Sequence, residues 1–173
     1  MGSEDPGVSD TVTWRVGDKW VYAGAFDPTV LVQDAGVDAV VGTISGDATT
    51  TVDAVSEVNI DGVPTLVYET SSKADFDKGG VALEGYTGNL FIQFQVDEVR
   101  RVSDLAKLST DLSLNVRYVP YGISSLTQQI ADITISTTYD PMSENYDFPL
   151  RIGETWNTSY VSSTAWSGSS DYI

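Results

Sequence analysis

The chain contains no cysteine and no histidine. Without sulfur or imidazole it has no thiol nucleophile, no thiolate metal site, no Ser-His-Asp arrangement and no His-ligated zinc or iron. Chemistry is left to carboxylates, Lys, Tyr and hydroxyls, and the missing Cys removes disulfides as a guide to compartment. Cations are scarce as well: 9 Lys and Arg stand against 25 Asp and Glu, a formal charge of −16 at pH 7. Nucleic acid and anionic lipid headgroups need Lys and Arg to displace their counterions, so the balance argues against both partners. No apolar run approaches the roughly 20 residues that span a bilayer, and the start MGSEDPGVSD has neither the basic nor the apolar region of a signal peptide. Glycine strings that cradle phosphate, G-x-G-x-x-G or Walker, are absent too.

What remains is an ordinary globular composition. The 173 residues, 41% of them apolar and 10% aromatic, suffice for one domain that buries roughly 70% of the surface its unfolded chain exposes. Asp outnumbers Glu, and Ser and Thr are abundant. Such a surface suits an extracellular or salty setting, where the Debye length falls to about 3 Å at 1 M salt and self-repulsion collapses. Met1-Gly2-Ser3 reads as a cloning remnant, residues 1–11 as a flexible N-terminus, and residues 12–173 as one antiparallel β domain, a piece of a longer surface protein.

Period-2 alternation dominates the chain, the signature of strands with one buried face. Leu112, Leu114, Val116 and Tyr118 alternate with Ser113, Asn115 and Arg117, while Leu90, Ile92, Phe94 and Val96 alternate with Gln93, Gln95 and Asp97. Ile130 to Tyr139 is β-branched and Thr-rich, as strands prefer. Turn signals fall at Asp61-Gly62, Gly79-Gly80, Gly88-Asn89, Ser103-Asp104 and Pro120-Tyr121-Gly122. Asp61-Gly62 predicts a type I′ hairpin with Ile60 facing Val63, and Pro64 predicts an edge or a non-bonded position just after it. Strands are expected over Val99–Val102 and Ala106–Thr110. Asp27–Gly36 has two readings: Asp27, Pro28 and Gly36 are helix signals, whereas Thr29, Val30 and Val32 favour a strand. The fold class expected is a strongly curved antiparallel sheet or half-barrel of successive hairpins, with one short helix at 27–36.

Two strings nearly repeat: RVGDKW at Arg15–Trp20 and RIGETW at Arg151–Trp156. In each, a Gly precedes an acid and then a Trp that opens a β-rich run, so both are expected to start a strand with the Trp as its first inward anchor. Arg15 and Arg151 could alternatively stack on Trp faces, or the Trp pair could form a sugar platform. With WRVGDKWVY, ISGDATTTVDAVSEVNIDGVPTLVYET, EVRRVSDLAKLST and YDFPLRIGETW, the chain resembles, over residues 12 to 160, a class of secreted prokaryotic, often archaeal, surface proteins. That class is similar to the curled half-barrels of lipoprotein carriers, and the resemblance implies a sheet wrapping an apolar groove that a helix plugs. A lipobox Cys is missing, so anchoring through a lipidated cysteine is not implied.

Four readings of function come from these residues. The first is a noncatalytic extracellular or cell-surface β module whose partners are other surface modules or proteins. The second is a carrier, holding a lipid or other apolar small molecule in a groove lined by Trp20, Tyr22, Phe91, Phe94 and Trp156. The third is a carbohydrate-binding module using exposed Trp and Tyr. The fourth, a carboxylate hydrolase, has no pair of acids that stands out, since Glu84, Asp97, Glu98 and Glu154 all look exposed by alternation. No cofactor is expected, apart from a calcium option at Asp75 and Asp77 in the loop-like string DFDKGG. An EF-hand-like frame beginning at Glu57 fails, because position 12 is Tyr68 rather than an acid. Asn157-Thr158-Ser159 is an N-glycosylation sequon and marks Asn157 as a candidate surface site.

Overall fold

The computed structural model describes residues 8–9, 13–34, 39–83, 85–144, 146, 148 and 150–169. The chain runs through β1 (Val8–Ser9), β2 (Lys19–Phe26), α1 (Thr29–Asp34), β3 (Ala39–Val40), β4 (Ile44–Ile60), β5 (Val63–Leu83), β6 (Tyr86–Arg101), β7 (Lys107–Pro120), β8 (Gln128–Ser143), β9 (Leu150–Arg151) and β10 (Val161–Ser169). One eight-stranded antiparallel sheet, in the order β10-β8-β7-β6-β5-β4-β2 with β3 beside β5, makes up nearly all of it. β2 and β10 are its two edges, and the sheet stays open rather than closing into a barrel. β1 and β9 form a separate two-stranded ladder; of the stretch 1–11 expected to be flexible, only Val8 and Ser9 are described.

The β4–β5 hairpin grows out of its turn. Asp61 and Gly62 both take positive φ, 52° and 85°, which matches the twist of the flanking strands, and Ile60 pairs with Val63. Asn59 secures the turn by accepting the Gly62 N–H at 2.8 Å. Pro64 lies where β5 has only β4 beside it, since pairing with β6 begins at Val67. The turns at Ser103-Asp104 and Pro120-Tyr121-Gly122 also fall where expected, and α1 supplies the helix from Thr29 to Asp34; Gly36 lies outside the described residues. Asp27 caps this helix by accepting the Thr29 N–H at 2.9 Å, so capping outweighs the β-branched residues here.

Two expected turns are strand interior instead. Gly79-Gly80 sits within the 21-residue β5, where Gly80 (φ 75°) forms a bulge and donates its N–H to the Tyr121 hydroxyl at 2.8 Å. A glycine with positive φ serves a bulge as well as a turn, so the dipeptide alone does not distinguish them. Gly88-Asn89 lies inside β6, where a Cβ on Gly88 would collide with the backbone of Val119 and Pro120. That glycine permits close approach of neighbouring backbone rather than a change of direction.

One core cluster, built from Ala39, Val41, Ile44, Val81, Leu83, Leu90 and Tyr118, sits at the end of the sheet where β3 pairs with β5. Thr29 at the start of α1 ties down the residues after β3, its hydroxyl accepting the N–H groups of Val41 and Gly42. Tyr118 is 1% exposed, and its hydroxyl lies 3.1 Å from the Val81 carbonyl and 2.6 Å from that of Tyr86, bridging the β5–β6 turn. Tyr118→Phe removes the donor those carbonyls share, and a loss of about 1–2 kcal/mol in urea-unfolding free energy is expected.

Candidate ligand-binding groove

Antiparallel register puts paired residues on one face, so each rung of the inner face can be read across the sheet. One rung runs Ala48, Ala74, Phe94, Leu114 and Ile133 from β4 to β8. Phe76, Ile92 and Val116 form the next rung towards α1. In the other direction come Ser72, Val96, Leu112, Ile135 and Trp166, and then Thr70, Glu98 and Thr110. β2 contributes Trp20, Tyr22 and Phe26 to the same face, paired with Thr50, Ala48 and Ile44. Hydrophobicity therefore changes along the strands: the rungs of Phe94 and Ile92 are mostly apolar, the far end carries Glu98 and Arg100, and Lys78 and Gln128 flank Leu90 and Tyr118 at the α1 end.

The apolar end holds a groove of about 510 Å³ lined by Phe26, Phe76, Phe94, Leu114 and Val116 among others. Phe26 and Phe76 meet edge to face at 5.6 Å on one wall. Among the described residues Tyr118 is the only lining side chain with a polar atom, and its hydroxyl is already engaged by Val81 and Tyr86. The walls thus offer carbon surface and no free hydrogen-bonding side chain, which suits an aliphatic or aromatic ligand and no polar one.

A second compartment of about 620 Å³ lies one rung beyond, between Trp14, Trp20, Tyr22, Tyr146 and Phe148 on one side and Thr50, Ser72, Glu98 and Arg100 on the other. The first tryptophan string builds one of its walls. Gly17 (φ 91°) turns the chain, its N–H donating to the Val52 carbonyl at 2.8 Å, and Asp18 accepts the Arg15 N–H at 2.8 Å. β2 then begins, and Trp20 lands 5.3 Å from the Trp14 ring, which in turn lies 5.3 Å from Tyr68. Leu105 packs against Val52 and Tyr68 with a positive φ of 60°, an uncommon conformation for a residue with a Cβ, held here by a buried side chain.

Charge in this compartment centres on Glu98. Its Oε2 accepts from Arg100 Nε at 3.0 Å and Nη2 at 2.6 Å, and its Oε1 faces Lys107 Nζ at 2.6 Å. The side chains of Glu98, Arg100 and Lys107 are only 16%, 16% and 22% exposed. Burial pushes the Glu98 carboxyl up, but hydrogen bonds from Lys107 and Arg100 outweigh it and hold the group below its ordinary value. Thr110, across the ladder from Glu98, has a buried hydroxyl without a partner among the described residues.

The residues expected to act together are divided among different surfaces. Phe94 lines the apolar groove, and Trp20 and Tyr22 line the second compartment. Phe91 is not in the groove: it alternates with Leu90 and Ile92, faces outward, and lies under the Arg117 guanidinium at 5.6 Å. Trp156 lines neither cavity and is 39% exposed. Its string makes the turn, with Gly153 at φ 82°, but residues 154–160 form no strand and β10 starts only at Val161. Glu98 is turned inward rather than exposed, because it continues the row of Phe94 and Val96; Glu84 lies outside the described residues. Asp75 and Asp77 are exposed on β5, not in a loop, and Asp75 accepts from Gln93 at 3.0 Å. Among the described residues no group of three or more acids is placed to hold a metal ion. Asn157 is exposed outside any strand. The second compartment was missed from sequence, although Glu98 and Arg100 at spacing two in an alternating strand could have revealed it.

Comparison with protein-family models, with curated proteins and with solved structures finds no match to this chain. Among the described residues no helix is long and apolar enough to cross a membrane.

The Glu98 geometry sets a pH dependence. Because its folded pKa lies below the unfolded one, the stability it contributes is complete above about pH 4.5 and is lost as pH falls through the folded value. Glu98→Gln leaves Arg100 and Lys107 without their shared anion, so it is expected to cost about 2 kcal/mol at pH 7. The gap between the two proteins should narrow as pH falls below about 4.5, read from urea unfolding at pH 7 and at acidic pH.

Proposed function

We propose that this protein is a noncatalytic carrier or binding module that holds an apolar small molecule in the groove of its half-barrel. The observation carrying this reading is a groove of about 510 Å³ whose lining has no unengaged polar side chain among the described residues. A face that served only as core would be filled by a second layer at interior packing density, whereas this volume falls in the range of small-molecule sites. Phe26, Phe76 and Phe94 supply rigid walls, and Pro28, Ala39 and Val41 complete the lining at one end. The acidic exterior and the resemblance to carrier-type surface domains favour an extracellular or cell-surface setting.

A catalytic role lacks support, since the inward carboxylate, Glu98, is saturated by two cations. The sugar platform of Trp20 and Trp156 is disfavoured as well: Trp20 is half-buried against Trp14 in the second compartment, while Trp156 lines neither cavity.

Native protein should take up a hydrophobic fluorescent dye with saturable, one-site behaviour. Ala48→Trp places an indole over the Ala48–Ala74 rung and should weaken uptake at least about tenfold while leaving the far-UV circular dichroism of a β protein intact. Dye uptake unchanged in the folded variant, or absent from the native protein, would count against the groove.

A further inference from the structure

The two compartments of the inner face are adjacent along the same strands. Ala48 and Ala74 belong to the apolar groove, while Thr50 and Ser72, two residues away on the same strands, belong to the charged compartment. Two residues of strand advance about 7 Å, and Phe94 to Glu98 advances about 13 Å. The rung between them, Val96, Leu112 and Ile135, is apolar. A molecule seated in the groove and extending away from α1 therefore passes over carbon and arrives at Glu98 and Arg100, which line the second compartment, with Lys107 bonded to Glu98 outside that lining.

That destination is short of one negative charge. The chain has 9 basic residues, and two of them turn inward here to share a single carboxylate. Arg100 spends Nε and one Nη2 hydrogen on Glu98 and a longer contact, 3.4 Å, on the Leu105 carbonyl. Lys107 spends one of its three hydrogens on Glu98. Half-buried cations held against half their counter-charge are an unfavourable arrangement that a second anion would complete. The outer acids do not cancel this locally, because the Debye length at physiological salt is about 8 Å and the pair sits on the inner face.

We propose that the ligand is an amphiphile: an aliphatic tail in the groove and an anionic head, carboxylate or phosphate, received by Arg100, with Lys107 adding positive charge from the far side of Glu98's ion pair. The proposal rests on the groove being a ligand site. Charge complementarity selects an anion over the cation that the neighbouring aromatic rings would otherwise invite. Arg100 presents a planar donor fork to the head, while Lys107, held on Glu98, contributes its charge without lining the compartment.

The test uses the full chain and four probes of one tail length, displacing a groove-bound dye: laurate, dodecyl phosphate, methyl laurate and dodecyltrimethylammonium. Laurate and dodecyl phosphate are expected to bind at least about tenfold more tightly than the ester, and the cationic amphiphile to bind worst. The two anions compared with each other tell which head fits better. Arg100→Gln should bring the anions within about threefold of the ester, Lys107→Gln should weaken the anions by less than Arg100→Gln does, and Ala48→Trp weakens all four. Equal binding of anion and ester, or preference for the cation, in the native protein overturns the anionic head and leaves the groove standing; this comparison decides even if neither charge variant folds. Failure of every probe to bind removes the groove itself and the inference with it.

Discussion

A single β-sheet has two faces, and an apolar face left in water is costly, so stable domains bury it against another layer. Here that second layer is incomplete. At one end Ala39, Val41 and Ile44 pack with Val81, Leu83, Leu90 and Tyr118. Trp14, Trp20 and Phe148 cover part of the other end, over Val52 and Tyr68. Between the two caps, curvature must do what a second layer would do, bringing rows such as Ala74, Phe94 and Leu114 towards the opposite wall. Bulges at Asp53, Gly80, Leu108 and near Arg117 interrupt the ladders, and each adds local bend and twist. The groove is the space this partial covering leaves.

Charge obeys the same division. The outward face carries the acids that keep a chain of charge −16 dispersed, with Asp75 and Asp77 on β5 as examples. Inward cations gather at the far end, where Glu98 holds Arg100 and Lys107. Arg101, one residue along and on the opposite face, instead pairs with Asp104 and Glu144. Consecutive arginines thus serve two surfaces, one stabilising the β6–β7 turn and the other entering the groove's charged end. Strand geometry makes that split automatic.

Much of this was legible because strand alternation is a local property. The row Leu112, Leu114, Val116, Tyr118 and the type I′ hairpin at Asp61-Gly62 depend on residues within a few positions of one another, and both stand in the structure as read. The errors share a different cause. Gly79-Gly80 and Gly88 are set by contacts from other strands, with Tyr121 and with Val119, which no local pattern contains. Glu98 looked solvated because charge is usually outward, although its position in the alternation placed it inward with Phe94 and Val96. Trp156 shows that a repeated string fixes its own turn and not the conformation of the residues after it. RVGDKW meets β4 as a ready partner at Thr50, while RIGETW leads into residues 154–160, which form no strand.

From β4 onward every long strand lies beside the one that precedes it in the chain, a meander running β4, β5, β6, β7, β8, β10. No step requires a strand to insert between two already paired, and the loops from β4 to β8 are short, while residues 144–160 lead from β8 to β10. Assembly can therefore proceed by accretion, each hairpin offering its free edge as a template for the next, starting at the tight β4–β5 turn. A ligand groove made this way comes into being only as its walls are added, so the last strands to dock decide when the site first exists.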